Sequence, residues 1–140
     1  MIISKQGDYA IRTMLTLGQR HPESISIREI ASLQEIPKPF LNKIIQTLAK
    51  AGLVETIRGS QGGVKLWLSP RQVTLKTVIE AIDGPIVVNR CLIGSDVCSR
   101  SSFCAAHVVL ANARKVFLAE LEKTTLAKLV VEQIKLEKLT

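Results

Sequence analysis

The stretch Ala51-Gly52-Leu53-Val54-Glu55-Thr56-Ile57-Arg58-Gly59-Ser60-Gln61-Gly62-Gly63-Val64-Lys65-Leu66-Trp67-Leu68 decides how this chain is read. Two short extended runs, Val54 to Arg58 and Val64 to Leu68, flank a turn-rich loop whose glycines suit a β-hairpin. Three helical patterns precede it. From about Gly7 to Gly18, Ala10, Ile11, Met14, Leu15 and Leu17 recur at helical spacing, and His21-Pro22-Glu23-Ser24 ends the run. Ser26 then opens Ser-Ile-Arg-Glu, where its hydroxyl can cap a helix and Glu29 can reach back, so a short helix is predicted over Ile27 to Gln34. Another begins near Pro37 or Lys38, with Phe40, Leu41, Ile44, Ile45 and Leu48 on one face and Lys43, Gln46 and Lys50 off it. Gly52 supplies its left-handed stop. Helix, short helix, helix, hairpin is the order of a winged helix-turn-helix, which offers one helix to the major groove of DNA and a loop beside it.

Downstream, Ser69-Pro70-Arg71 closes the hairpin, and Thr74 caps a helix to about Asp83 that Gly84-Pro85 stops. The segment Ile86 to Phe103 has no helical period and reads as a loop. Helical spacing returns from Cys104 to Lys123, through Val108, Leu110, Ala111, Val116, Phe117, Leu118 and Leu121, and a last helix is expected over Leu126 to Lys138. The fold class is mainly α with a small β-hairpin wing.

Charge points to the partner. The chain carries a net +7, and from Lys38 to Arg71 six basic residues face one acidic residue, an excess of +5 within a quarter of the length. Such clustering favours a polyanion, whose counterions are released on binding. On the second turn helix, Asn42 and Gln46 can pair with base edges, and Lys38 and Lys43 can serve phosphate or guanine. In the wing, Arg58 suits a narrow minor groove, with Ser60 and Gln61 at the tip. Gly59, Gly62 and Gly63 allow a tight turn and close backbone approach. Ser26 and Lys5 are placed for phosphate contacts. The expected ligand is double-stranded DNA.

All three cysteines, Cys91, Cys98 and Cys104, fall in one polar stretch, and His107 follows, spaced C-x6-C-x5-C-x2-H. Thiolates and imidazole ligate soft or borderline metals and iron–sulfur clusters. Zinc is a competitor, although the tight cysteine pairs of zinc sites are missing. Thiol oxidation without metal is another reading. If a helix starts at Cys104, His107 shares its face and can be a fourth ligand. The N-terminus lacks a secretory signal and no apolar run approaches the roughly 18 residues of a membrane helix, so a cytoplasmic, thiol-reducing setting and no membrane association are expected. His21 and His107 are the only histidines, and no nucleophile–base signature or phosphate loop accompanies them, so an enzyme is not expected. An adaptor binding other proteins through the apolar C-terminal helices is the remaining alternative.

Several of these motifs together resemble the Rrf-two family of winged-helix regulators, in its iron–sulfur-binding branch. They are Ser4-Lys5-x-Gly7-Asp8-Tyr9-Ala10, Ile27-x-Glu29-Ile30-Ala31, Phe40-Leu41, Ala51-Gly52-Leu53-Val54, Arg58-Gly59-x-x-Gly62-Gly63, the cysteine triplet and Thr124-Thr125-Leu126. The resemblance implies a DNA-binding domain over 1–84, a cluster-binding loop over 85–103 and dimerisation helices over 104–140. It implies a homodimer on a palindromic operator, responding to redox, nitric oxide or iron and cluster status. An iron–sulfur cluster, 2Fe-2S or 4Fe-4S, would be held by Cys91, Cys98 and Cys104, and Asp8 from the partner subunit becomes a second candidate for the fourth ligand beside His107. The chain departs from the common pattern in having six residues, not five, between its first two cysteines.

Overall fold

The computed structural model describes residues 3–60 and 62–140. The first helix, α1, spans Lys5–Arg20, with the Ser4 hydroxyl capping it by accepting from the Gly7 amide at 2.9 Å. It buries Tyr9, Ala10, Met14 and Leu17, joined by Thr13 and Thr16, whose hydroxyls donate to the carbonyls of Tyr9 and Arg12 one turn back. Helix α2, Ile27–Gln34, ends at Glu35 in the left-handed conformation (φ 52°), and this turn delivers buried Ile36 and then α3, Lys38–Lys50. On α3 the residues Leu41, Ile44, Ile45 and Leu48 repeat at one-turn spacing and are each at most 2% exposed. Burying side chains of this size contributes about 1.5–3 kcal/mol apiece, which is why this stripe fixes α3 against α1 and α2. The helix stops as Gly52 suggests. The Leu53 amide returns to Leu48 and the Gly52 amide to Ala49, both at 3.0 Å, with Gly52 at φ 76°.

Two expectations are corrected here. Phe40 does not join the buried stripe; it is 47% exposed and borders a pocket of about 230 Å³ with Lys5, Tyr9 and Pro37. One residue before Leu41 means about 100° around the helix, enough to carry it off the packed face. Glu29 does not complete a capping box: its carboxylate pairs with Arg20 at 2.8 Å, while Ser26 alone caps α2 by accepting from the Glu29 amide at 3.1 Å.

The hairpin joins β1, Val54–Ile57, to β2, Gly63–Leu66, in antiparallel register Val54↔Leu66, Glu55↔Lys65, Thr56↔Val64 and Ile57↔Gly63. Arg58 and Leu68 therefore lie outside the ladder, one and two residues beyond it. Val54, Val64 and Leu66 face the core.

Helix α4, Leu75–Asp83, is capped by Thr74, and α6, Leu126–Leu139, by Thr125. These two caps pair with each other: the Leu75 amide donates to Thr124 at 2.9 Å and the Leu126 amide to Val73 at 2.7 Å. The pairing turns α6 back onto α1, where Leu126 is buried and Val130 packs beside it. Between them, α5 (Ala105–Lys123) buries only Leu121, in a small cluster with Ile79 and Ile86. The apolar positions Val108 and Val116 instead lie 58% and 72% exposed, next to Val109 at 65%.

Candidate nucleic-acid interface and cysteine segment

Because α3 buries one stripe, Lys38, Asn42, Lys43 and Gln46 are left exposed on its other side, as are Lys50, Arg58, Gly59 and Ser60. Among the described residues, Lys38, Lys43, Lys50, Arg58 and Arg71 have no acidic partner. Lys65 is different, lying 4.0 Å from Glu55 across the hairpin. Lys38, Lys43 and Lys50 belong to α3 and Arg58 to the wing loop, while Arg71 lies in the short 3-10 turn after the hairpin, Pro70–Gln72.

The wing is tied to the turn helices at its base. Ile25 and Val64 exchange backbone hydrogen bonds of 2.9 and 2.8 Å, which sets Ser26 and the start of α2 beside Gly63. A Cβ on Gly63 would overlap the Ile25 carbonyl oxygen and come within 2.8 Å of its carbon. Gly62 is confined in the turn itself, where the Gly62 amide donates to Gly59 at 3.0 Å and a Cβ would overlap the Ile57 carbonyl oxygen. Both glycines are thus demanded by the protein's own packing. Gln61, the other tip residue, lies outside the described residues. Arg28, which sequence reasoning did not single out, is exposed in the first turn of α2, three residues after Ile25, whose backbone pairs with Val64 at the wing base.

Beside the start of α3, where Lys5 and Tyr9 border Pro37 and Phe40, Lys5 and Arg12 lie over the Tyr9 ring, 5.8 and 5.0 Å from its centroid. Arg12 also donates to Asp8 at 2.6 Å and to the Gln34 carbonyl at 3.0 Å, joining α1 to the turn before α3. Asp8 is therefore an exposed carboxylate already engaged within its own chain.

In the cysteine segment, Cys91 lies in a single 3-10 turn, Arg90–Leu92, and Cys104 is the residue from which α5 starts. All three thiols are free and half-buried. The Asn89 side-chain Nδ2 donates to the Cys91 sulfur at 3.5 Å, and Arg114 on α5 donates to the Ile86 carbonyl at 2.7 Å, pinning the segment's start. Among the described residues, no three His, Cys, Asp or Glu side chains converge closely enough to hold a metal ion. The donor chemistry nevertheless fits a thiolate-held group. His107, one turn into α5 from Cys104, has its Nδ1 buried with no hydrogen-bond partner among the described residues, and buried polar atoms are ordinarily paired.

Comparison with known proteins places this architecture. The family model Rrf2, described as "Iron-dependent Transcriptional regulator", matches residues 3–132. The HTH-type transcriptional regulator NsrR of Bacillus subtilis is 33% identical over 132 residues, spanning 93% of this chain and 90% of that protein. Among solved structures, IscR of T. potens superposes with a TM-score of 0.77 at 28% identity, covering 95% of this chain and 88% of the other. CymR, the global cysteine regulator of B. subtilis, superposes at 0.74 with 27% identity, covering 94% and 98%. These relatives are regulators of transcription and not enzymes, and no described helix here is long and apolar enough to cross a membrane. With a winged helix-turn-helix and a family match over nearly its whole length, the chain belongs to the Rrf2 family of transcriptional regulators.

Proposed function

We propose that this regulator binds a palindromic DNA operator as a homodimer in the cytoplasm, and that an iron–sulfur cluster held by Cys91, Cys98 and Cys104 sets its affinity. The observation that carries the reading is the buried Nδ1 of His107, unpartnered among the described residues, one turn after Cys104 in a segment whose thiols are all free. It favours His107 over Asp8 as the fourth ligand, since Asp8 is engaged by Arg12. Such a group supplies a centre that oxidants, nitric oxide or iron depletion can alter, and three cysteines plus one weaker ligand leave one exchangeable corner. The protein's part is to present the donors on a segment free of long regular elements and to transmit their state to the reading face. Lys38, Asn42, Lys43 and Gln46 on α3, with Arg58 and the wing, make the DNA contacts, and Lys5, Ser26 and Arg28 hold phosphates. The exposed valines of α5, Val108, Val109 and Val116, form the apolar face that a second copy covers.

The test is anaerobic purification and reconstitution with iron and sulfide, followed by operator titration. Visible charge-transfer absorption that disappears in Cys98→Ala, together with an altered operator affinity, is expected. A colourless protein with stoichiometric zinc would contradict the reading. A second, metal-free reading has its own support, because the thiols do not converge among the described residues. In that case, protein purified without air contains no iron, yet mild oxidation still changes DNA affinity.

A further inference from the structure

The cysteine segment leaves the DNA-binding unit at Asp83-Gly84-Pro85, and this junction is built unlike a simple linker. Asp83 is the last residue of α4, where the helix dipole disfavours a carboxylate. It is aimed instead at the start of α1, where the dipole favours one. The Ser4 amide donates to Asp83 Oδ2 at 2.9 Å, and the Ser4 hydroxyl donates to Oδ1 while accepting from the Gly7 amide. Gly7 leaves room for this: a Cβ there would stand 2.9 Å from Asp83 Oδ2. The next residue, Gly84, has φ 77° and ψ −169°, a region essentially closed to other residues. Beyond it Ile86 is held to Arg114 of α5. A partly open cavity of about 200 Å³, bordered by Ile3, Ile79, Pro85, Ile86 and Phe117, lies beside the junction. The latch therefore sits at a glycine joint with free space next to it, between a segment anchored on α5 and the helix that carries Lys5 and Tyr9.

We propose that Asp83 is the positioning residue through which the state of the cysteine segment reaches the DNA-binding unit. Displacement of residues 84–87 withdraws the carboxylate from Ser4, the first turn of α1 loosens, and Lys5 loses its fixed place beside the start of α3. This rests on the reading of the cysteine segment as the sensor, but its test does not need a bound cluster.

The experiment uses the full chain, metal-free and reduced, before and after alkylation of its cysteines with iodoacetamide. It measures amide hydrogen exchange in the first turn of α1 and the operator dissociation constant. In the unaltered protein, alkylation should speed exchange of the Ser4, Gly7 and Asp8 amides, the ones held at this end of α1, at least fivefold and change operator affinity. Asp83→Ala and Gly7→Ala break the latch from opposite sides, one by removing the acceptor and one by crowding it. Both should exchange rapidly in either state, with the response to alkylation below twofold and circular dichroism unchanged. Asp83→Asn, which keeps one acceptor oxygen, should respond in between. A first turn that responds to alkylation as strongly in the variants as in the unaltered protein overturns the latch. So does one that never responds in the unaltered protein. The sensor reading is judged separately, by iron content and visible absorption, and either can fail alone.

Discussion

Gly63 and Ile25 touch backbone to backbone, so closely that any side chain at position 63 would collide with the Ile25 carbonyl group. The wing is thereby held as a continuation of the turn helices, and its angle to α3 is set by a strand contact rather than by flexible side chains. Gly63→Ala should push β2 from Ile25 and cost about 1–3 kcal/mol, the usual penalty of overpacking. A lowered urea midpoint with an unchanged slope would show it; an unchanged midpoint would mean that the wing base is looser than this contact implies.

Leu41 and Lys43 lie two residues apart on α3 and should separate stability from recognition. Leu41 is fully buried, so Leu41→Ala should cost about 2–5 kcal/mol of folding stability. Lys43 is exposed, so Lys43→Ala should leave stability within about 0.5 kcal/mol. Operator affinity should fall for Lys43→Ala, with the slope against salt concentration shallower by about 0.9 if it holds one phosphate. Paired thermal melts and salt titrations read both.

Arg58 stands just outside the ladder, exposed and without an acidic partner among the described residues. Arg58→Ala should leave the melting temperature in place and weaken operator binding by about 1–3 kcal/mol. Arg58→Lys keeps the charge but not the planar fork, so partial recovery would separate general attraction from groove recognition. Binding that is equal to the unaltered protein in both variants would remove Arg58 from the interface.

Thr125 caps α6 by accepting from the Lys128 amide at 3.2 Å and sits in the pairing that returns α6 to α1. Thr125→Ala should cost about 1 kcal/mol. If α6 packing matters to the whole unit, the loss will appear in a single cooperative transition; a separate early melting step would show that α6 unfolds independently.

The boundaries of the helices were legible in the sequence because their causes are local. Ser26, Thr74 and Gly52 act within a turn of themselves, and the spacing of Leu41, Ile44, Ile45 and Leu48 is a property of one helix. The cysteine triplet and the clustered charge were likewise visible as composition. What the linear order could not contain was any relation between elements. Glu29 turned to Arg20 because α1 and α2 cross there, Phe40 was left at an edge, and the valines of α5 lie uncovered among the described residues. Ser4 and Asp83, 79 residues apart, meet only because α4 packs along α1. A helix announces itself through neighbours three and four positions away, whereas the angle at which two helices cross depends on every side chain between them, and so only the folded chain decides it.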